Sequence, residues 1–170
     1  TIHTSVQSNQ YFYHSLFGIK TKMERSFKKE VQSLRLGDGE TFHGEGILAV
    51  TKGLLQSGVS YVGGYQGAPI SHLMDVLADA QGILDELGVH LETCANEAGA
   101  AAMLGASINY PLRGAVTWKA TVGTNVASDA LSNLASAGVK GGALIVVGED
   151  YGEGASIIQE RSHAFAMKSQ

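Results

Sequence analysis

Apolar residues along the chain occur in two textures. Short, unalternated bursts fall at Tyr61–Gly64, Val89–Thr93, Gly114–Trp118 and Ala143–Gly148, the last carrying Leu144, Ile145, Val146 and Val147 in succession. Runs of this kind bounded by glycine predict strands covered on both faces. Between them lie helix-length stretches. Residues 43–57 place Ile47, Leu48, Val50, Leu54 and Leu55 at helical spacing and stop at Gly58. Residues 70–87 repeat the rhythm with Leu73, Met74, Val76, Leu77, Ile83, Leu84 and Leu87, and stop at Gly88. Residues 97–109 are small and helix-forming, and residues 123–137 stop at Gly138. Strand and helix in alternation predict an α/β fold, a doubly wound parallel sheet flanked by helices. Right-handed crossovers then gather the loops that follow the strands on one edge of the sheet.

Composition adds a core and a boundary. The chain has 170 residues, 44% hydrophobic and 16% charged, a balance that supports a buried core and argues against disorder. Residues 1–37 hold six basic groups (Lys20, Lys22, Arg25, Lys28, Lys29, Arg35) against two acids, whereas the rest holds six against fourteen. Residues 1–37 therefore read as a basic extension that packs on the domain or on a partner, and 38–170 as the domain. A basic head can meet phosphates or an acidic partner, but it carries no nucleic-acid signature. Met23, followed by Glu24-Arg25-Ser26-Phe27-Lys28-Lys29, reads like a natural start. The first 22 residues lack the apolar stretch of a secretory signal. No apolar run approaches the roughly 20 residues of a membrane span. One cysteine, Cys94, excludes an internal disulfide, and a reducing cytoplasm is the default compartment.

Candidate chemistry is sparse. Cys-x-x-Cys and His-x-x-x-His are both missing, so no spacing suits a metal or cluster. Gly44-x-Gly46-x-x-Ala49 matches the dinucleotide fingerprint as a string, but no apolar strand feeds it. Gly37-Asp38-Gly39 resembles the opening of a magnesium–diphosphate motif that also needs an asparagine roughly 25–30 residues on. No asparagine occurs between Asn9 and Asn96, so a turn is expected there. The informative stretch is Glu92-Thr93-Cys94-Ala95-Asn96-Glu97-Ala98, which places a carboxylate at the start of a helix directly after a strand. Glu97 can simply favour the positive end of the helix dipole. It can equally lie where α/β sheets put ligand chemistry, at the carboxyl ends of the strands.

Five segments in order resemble a known family. Gly63-Gly64-Tyr65-Gln66-Gly67-Ala68-Pro69-Ile70-Ser71 resembles the Tyr-Pro-Gly-Thr-Pro-Ser-Ser loop of indolepyruvate:ferredoxin oxidoreductase and related 2-oxoacid:ferredoxin oxidoreductases. Asn96-Glu97-Ala98 is similar to the family's Asn-Glu-Lys step. The run from Trp118-Lys119 through Val122-Gly123, Asn125-Val126-Ala127 and Asp129 is similar to Met-Lys-His-Val-Gly-Leu-Asn-Val-Ala-Ala-Asp, with one extra residue. Residues 138–150 resemble the next strand and its acidic end, and Gln159-Glu160-Arg161 is similar to the following Gln-Asp-Ser-Arg. The likeness runs from Gly44 to Met167.

The resemblance implies the pyrimidine-binding domain of a thiamine diphosphate-dependent enzyme that decarboxylates a 2-oxoacid oxidatively to acyl-CoA. Glu97 would be the catalytic carboxylate on the aminopyrimidine ring nitrogen. Sharing a proton there favours the imino form, which can deprotonate the thiazolium. Gly64, Tyr65, Gly67 and Pro69 would shape the cofactor loop or make an ordinary tight turn. Lys119 and Asn125 would face the site or merely cap and solubilise. The family further implies Mg²⁺ and [4Fe-4S] clusters in domains outside this chain, a diphosphate-binding domain or subunit as partner, ferredoxin as electron acceptor, coenzyme A, and a dimer of such pairs. Two departures bear on substrate: Ala68 stands for a threonine available to a substrate's carboxylate or keto oxygen, and Gln66 for a proline. The alternatives are a thiamine-dependent decarboxylase without clusters and a non-catalytic α/β assembly or regulatory module.

Overall fold

A computed structural model of the chain describes residues 25–120 and 122–149. The readings made at Lys20, Lys22, Met23, Asp150, Gln159, Glu160 and Arg161 lie outside the described residues. A 3-10 helix, Glu30–Arg35, precedes α1 (Gly46–Gln56), β1 (Tyr61–Gly64), α2 (Ser71–Asp79), α3 (Gln81–Leu87) and β2 (His90–Thr93). There follow α4 (Glu97–Met103), α5 (Ala106–Asn109), β3 (Gly114–Lys119), α6 (Val122–Val126), α7 (Ser128–Ala137) and β4 (Ala143–Gly148). All pairings are parallel, in the order β2-β1-β3-β4. Val62 of β1 is opposite Leu91 and Ala115, and Val116 of β3 is opposite Ile145.

Alternation along the two central strands divides the core. Val62 and Ala115 point to one face, where Leu54 of α1, Leu73, Met74 and Leu77 of α2, and Leu84 of α3 cover them. Tyr61, Val116 and Trp118 point to the other, beneath Ala100 and Ala101 of α4, Leu104, and Leu131 of α7. Helices on both faces make the sheet doubly wound. Each fully buried leucine or valine contributes about 1.5–3 kcal/mol. The alanines of α4 let that helix approach β1 and β3 closely.

Outside α2 and α3 lies a third apolar layer. Phe27, Val31 and Leu34 pack on Leu48, Val76, Ala80 and Ile83. The Phe27 amide donates to the Asp79 carboxylate at 2.6 Å, and the Lys52 ammonium donates to the carbonyls of Leu34 (2.9 Å) and Leu36 (2.5 Å). Arg25 pairs with Glu45, and Arg35 forks onto Glu86 at 2.5 and 2.7 Å. Two of the basic groups of the head are therefore engaged within the chain.

Several predicted elements differ in detail. The helix expected over 70–87 is two helices meeting at Ala80, that over 97–109 breaks at Leu104–Gly105, and that over 123–137 breaks at Ala127. The strands expected to be covered on both faces are so only at the centre. β2 is an edge strand with His90, Glu92 and Thr93 exposed, and β4, the opposite edge among the described residues, is half-exposed. Sheet order is the cause, since an outer strand has a neighbour on one side only.

Candidate functional site

β1 and β3 are neighbours whose chains leave in opposite senses. The connection from β1 crosses one face through α2 and α3; the connection from β3 crosses the other through α6 and α7. At such a reversal the two departing loops splay apart and open a crevice beyond the carboxyl ends of the strands, the preferred ligand position in open α/β sheets. The floor of this crevice is bare backbone. A Cβ at Gly63 would lie 2.5 Å from the Glu92 carbonyl oxygen, and one at Gly64 would collide with the carbonyl of Thr117. Only glycine lets the three strands close up here. The Cys94 amide donates to the Gly64 carbonyl at 2.8 Å, binding the start of the β2–α4 turn to the end of β1.

That turn delivers Glu97. Asn96 is extended (φ −164°, ψ 176°) and its side-chain oxygen accepts from the Gly99 amide at 2.8 Å, the usual means by which asparagine starts a helix. Glu97 is then the first residue of α4 and is only 8% exposed. Among the described residues nothing donates a hydrogen bond to its carboxyl group or forms an ion pair with it. Buried polar groups are paired in the great majority of cases, and an unpaired one costs free energy. The walls around Glu97 are tight. Gly123 of α6 sits so close that a Cβ there would lie 2.9 Å from Glu97 Cγ and 2.5 Å from Trp118 Cδ1. Trp118 is fully buried and its indole N–H donates to Thr124 Oγ1 at 3.2 Å, which fixes α6 over the carboxylate.

The loop after β1 forms the second wall. The Tyr65 amide donates to the Thr117 carbonyl at 3.0 Å, and the Ile70 amide to the Gly67 carbonyl at 3.0 Å. Ala68–Pro69 is a cis peptide. A Cβ at Gly67 would lie 2.8 Å from Lys119 Cβ, so the loop rests on the end of β3. Gly64, Tyr65, Gly67, Pro69 and Lys119 thus gather around the ends of β1 and β3, with Tyr65 40% exposed. Asn125 lies exposed on α6, a short way beyond Gly123. The sequence reading did not single out Gly123 and Trp118 as site-forming residues. Their signal was a glycine in the first turn of a helix directly after an apolar strand.

Other motifs resolve as ordinary structure. Gly37-Asp38-Gly39 is a turn in which the Glu40 amide donates to the Gly37 carbonyl at 3.3 Å and Gly39 takes φ +82°. The segment before Gly46 is not a strand, so Gly44-x-Gly46 opens α1 without the geometry of a dinucleotide site. Burial pushes the Cys94 thiol above its ordinary value, with the Glu92 carboxylate adding to the shift and a backbone hydrogen bond with Gly64 opposing it. Among the described residues no group of three or more His, Cys, Asp or Glu side chains is placed to hold a metal ion. Among them also, no helix is long and apolar enough to cross a membrane.

In this parallel α/β domain a buried carboxylate, without a partner among the described residues, lies beside the topological switch point, where open α/β sheets hold their ligands. No family model matches the chain. Curated relatives do. It is 34% identical over 119 residues, 69% of its length, to the indolepyruvate oxidoreductase subunit IorA of Archaeoglobus fulgidus. The proteins of that name from Thermococcus kodakarensis and Methanothermobacter thermautotrophicus are 33% identical over 102 residues and 30% over 117, covering 60% and 69% of this chain. The chain belongs to the indolepyruvate oxidoreductase subunit family. The matched segment spans less than a fifth of each of these relatives, at 19%, 15% and 18% of their lengths.

Proposed function

We propose that this chain is the pyrimidine-binding domain of a thiamine diphosphate-dependent 2-oxoacid oxidoreductase of the indolepyruvate type, passing electrons to ferredoxin and the acyl group to coenzyme A. The observation that carries this reading is the Glu97 carboxyl group, buried and without a donor among the described residues. A group so placed suits a ligand that brings its own donor, and the ring nitrogen of an aminopyrimidine does so when it shares a proton. When bound, the cofactor supplies the carbon nucleophile that attacks the keto carbon of a 2-oxoacid. Glu97 holds a proton at the ring nitrogen, Trp118 and Gly123 fix the direction of its side chain, and the packing of α6 excludes water from it. The loop from Gly64 to Pro69 and the side chains of Lys119 and Asn125 would line the rest of the crevice. The diphosphate, its Mg²⁺ and the iron–sulfur clusters would be held by other domains or a partner subunit, in a dimer of such pairs working in the cytoplasm.

The test is Glu97→Gln in the complete enzyme, assayed for turnover of indolepyruvate with thiamine diphosphate and Mg²⁺. Glutamine keeps the shape but cannot share the proton, so turnover should fall by about 10²–10⁴ with thermal stability retained. Unchanged turnover would mark a non-catalytic assembly module. An unfolded variant would make Glu97 a structural residue.

A further inference from the structure

The loop between β1 and α2 carries a tethered side chain that the chemistry of Glu97 leaves unused. Gln66 Nε2 donates to Asp75 Oδ1 at 2.9 Å. The other oxygen of Asp75 lies 3.2 Å from His72 Nδ1, and the His72 ring meets Phe27 edge-on with 5.6 Å between centroids. Phe27 is fully buried, so this line of contacts runs from the third apolar layer to the loop that follows β1. An amide nitrogen carries two hydrogens fixed in the plane of the group. Once one is committed to Asp75, the direction of the other is set. Gln66 is itself exposed, and it supplies the only side-chain N–H of residues 65–70. A 2-oxoacid presents adjacent keto and carboxylate oxygens, which are acceptors only, and a preset donor facing an anionic acceptor makes a strong hydrogen bond.

We propose that Gln66 is a specificity-determining residue that donates its second N–H to an oxygen of the 2-oxoacid, and that Asp75, braced by His72, is the positioning residue that aims it. This rests on the function proposed above. In the complete enzyme with indolepyruvate, Gln66→Met should raise KM about 10- to 150-fold, the worth of one hydrogen bond to a charged group, and leave kcat nearly unchanged. Asp75→Ala should raise KM similarly, and the double variant should be no worse than the larger single. Asp75→Asn keeps an oxygen for Gln66 and should restore KM to near the starting value. Gln66 is exposed, so its variant folds even if Asp75→Ala does not; Gln66→Met and Asp75→Asn then decide together. An unchanged KM in Gln66→Met, a loss in kcat instead, or effects that multiply in the double variant would overturn the assignment. Glu97→Gln run alongside separates the two proposals. Turnover lost there with KM unmoved in Gln66→Met removes only the role of Gln66, whereas full turnover in Glu97→Gln removes the parent function and this assignment with it.

Discussion

A single methyl group at position 123 tests whether α6 closes on Glu97 as described. In Gly123→Ala the new Cβ would lie 2.5 Å from Trp118 Cδ1, 3.0 Å from Trp118 Cγ and 2.9 Å from Glu97 Cγ. The indole cannot retreat, because it is fully buried between β3 and α4 and its N–H is held by Thr124. Relief must come from a shift of α6 and from rotation of the Glu97 side chain. Overpacking of this kind costs about 1–3 kcal/mol. In a domain of this size, each kcal/mol lowers Tm by roughly 3–6 °C. The control is Gly53→Ala in α1, where a Cβ meets nothing within 4 Å and the backbone is ordinary helix. There alanine should stabilise by about 0.4–1 kcal/mol through the lost freedom of glycine in the unfolded chain. Thermal unfolding of the two variants beside the parent protein should therefore move Tm in opposite directions. Under the function proposed above, turnover should fall in Gly123→Ala and not in Gly53→Ala. A Gly123→Ala protein with unaltered Tm would refute the close packing of α6 on Trp118 and Glu97.

Removing the cap in Asn96→Ala should destabilise by about 0.5–2 kcal/mol in chemical denaturation, with an unchanged denaturant slope. Because its pKa is raised, Cys94 should react with iodoacetamide more slowly near neutral pH than an ordinary cysteine thiol, a difference read by mass spectrometry of the intact chain. The hydrogen bond from Arg35 holds the Glu86 carboxyl below its ordinary range. A depressed carboxylate adds stability above its unfolded pKa and loses it as pH falls through the folded value. The small Tm loss expected in Arg35→Gln at neutral pH and low salt should vanish at lower pH and at salt of about 1 M, since both partners are exposed.

The four strands were legible because each lies in a short run marked by a glycine at one end (Gly64, Gly88, Gly114 and Gly148), and their positions along the chain agree with the bursts in the sequence. Helix interruptions were not legible. The spacing Leu73, Leu77, Ala80, Leu84, Leu87 stays in helical phase through Ala80, so periodicity has no means of registering a break where the backbone tightens for a residue. At Leu104–Gly105 the glycine was an available signal. The exposure of β2 was written in His90 and Glu92, polar residues alternating with Leu91, and it was masked by reading Val89–Thr93 as one burst. Glu97 could be picked out by its place after a strand. Its burial, the lack of a donor and the contact with Gly123 could not, because these join residues 26 positions apart through the packing of α6.

The sheet order also bears on how the chain reaches its native state. β1 and β2 can pair within a stretch of about thirty residues, yet β1 is only half-sheltered until β3 docks on its other edge. Pairing of more distant segments is the slower event in folding, because loop closure must precede the contacts that reward it. A set of β1, β2 and α1–α3 alone would hold part of one face of the sheet, still lacking Ala115 of β3 and Val146 of β4, and would leave Glu97 in water. The carboxylate loses its hydration only when β3 and α6 arrive. Desolvation of the candidate site therefore needs β3 and α6 in place, and amide hydrogens around Glu97 should exchange only through openings that undock these elements.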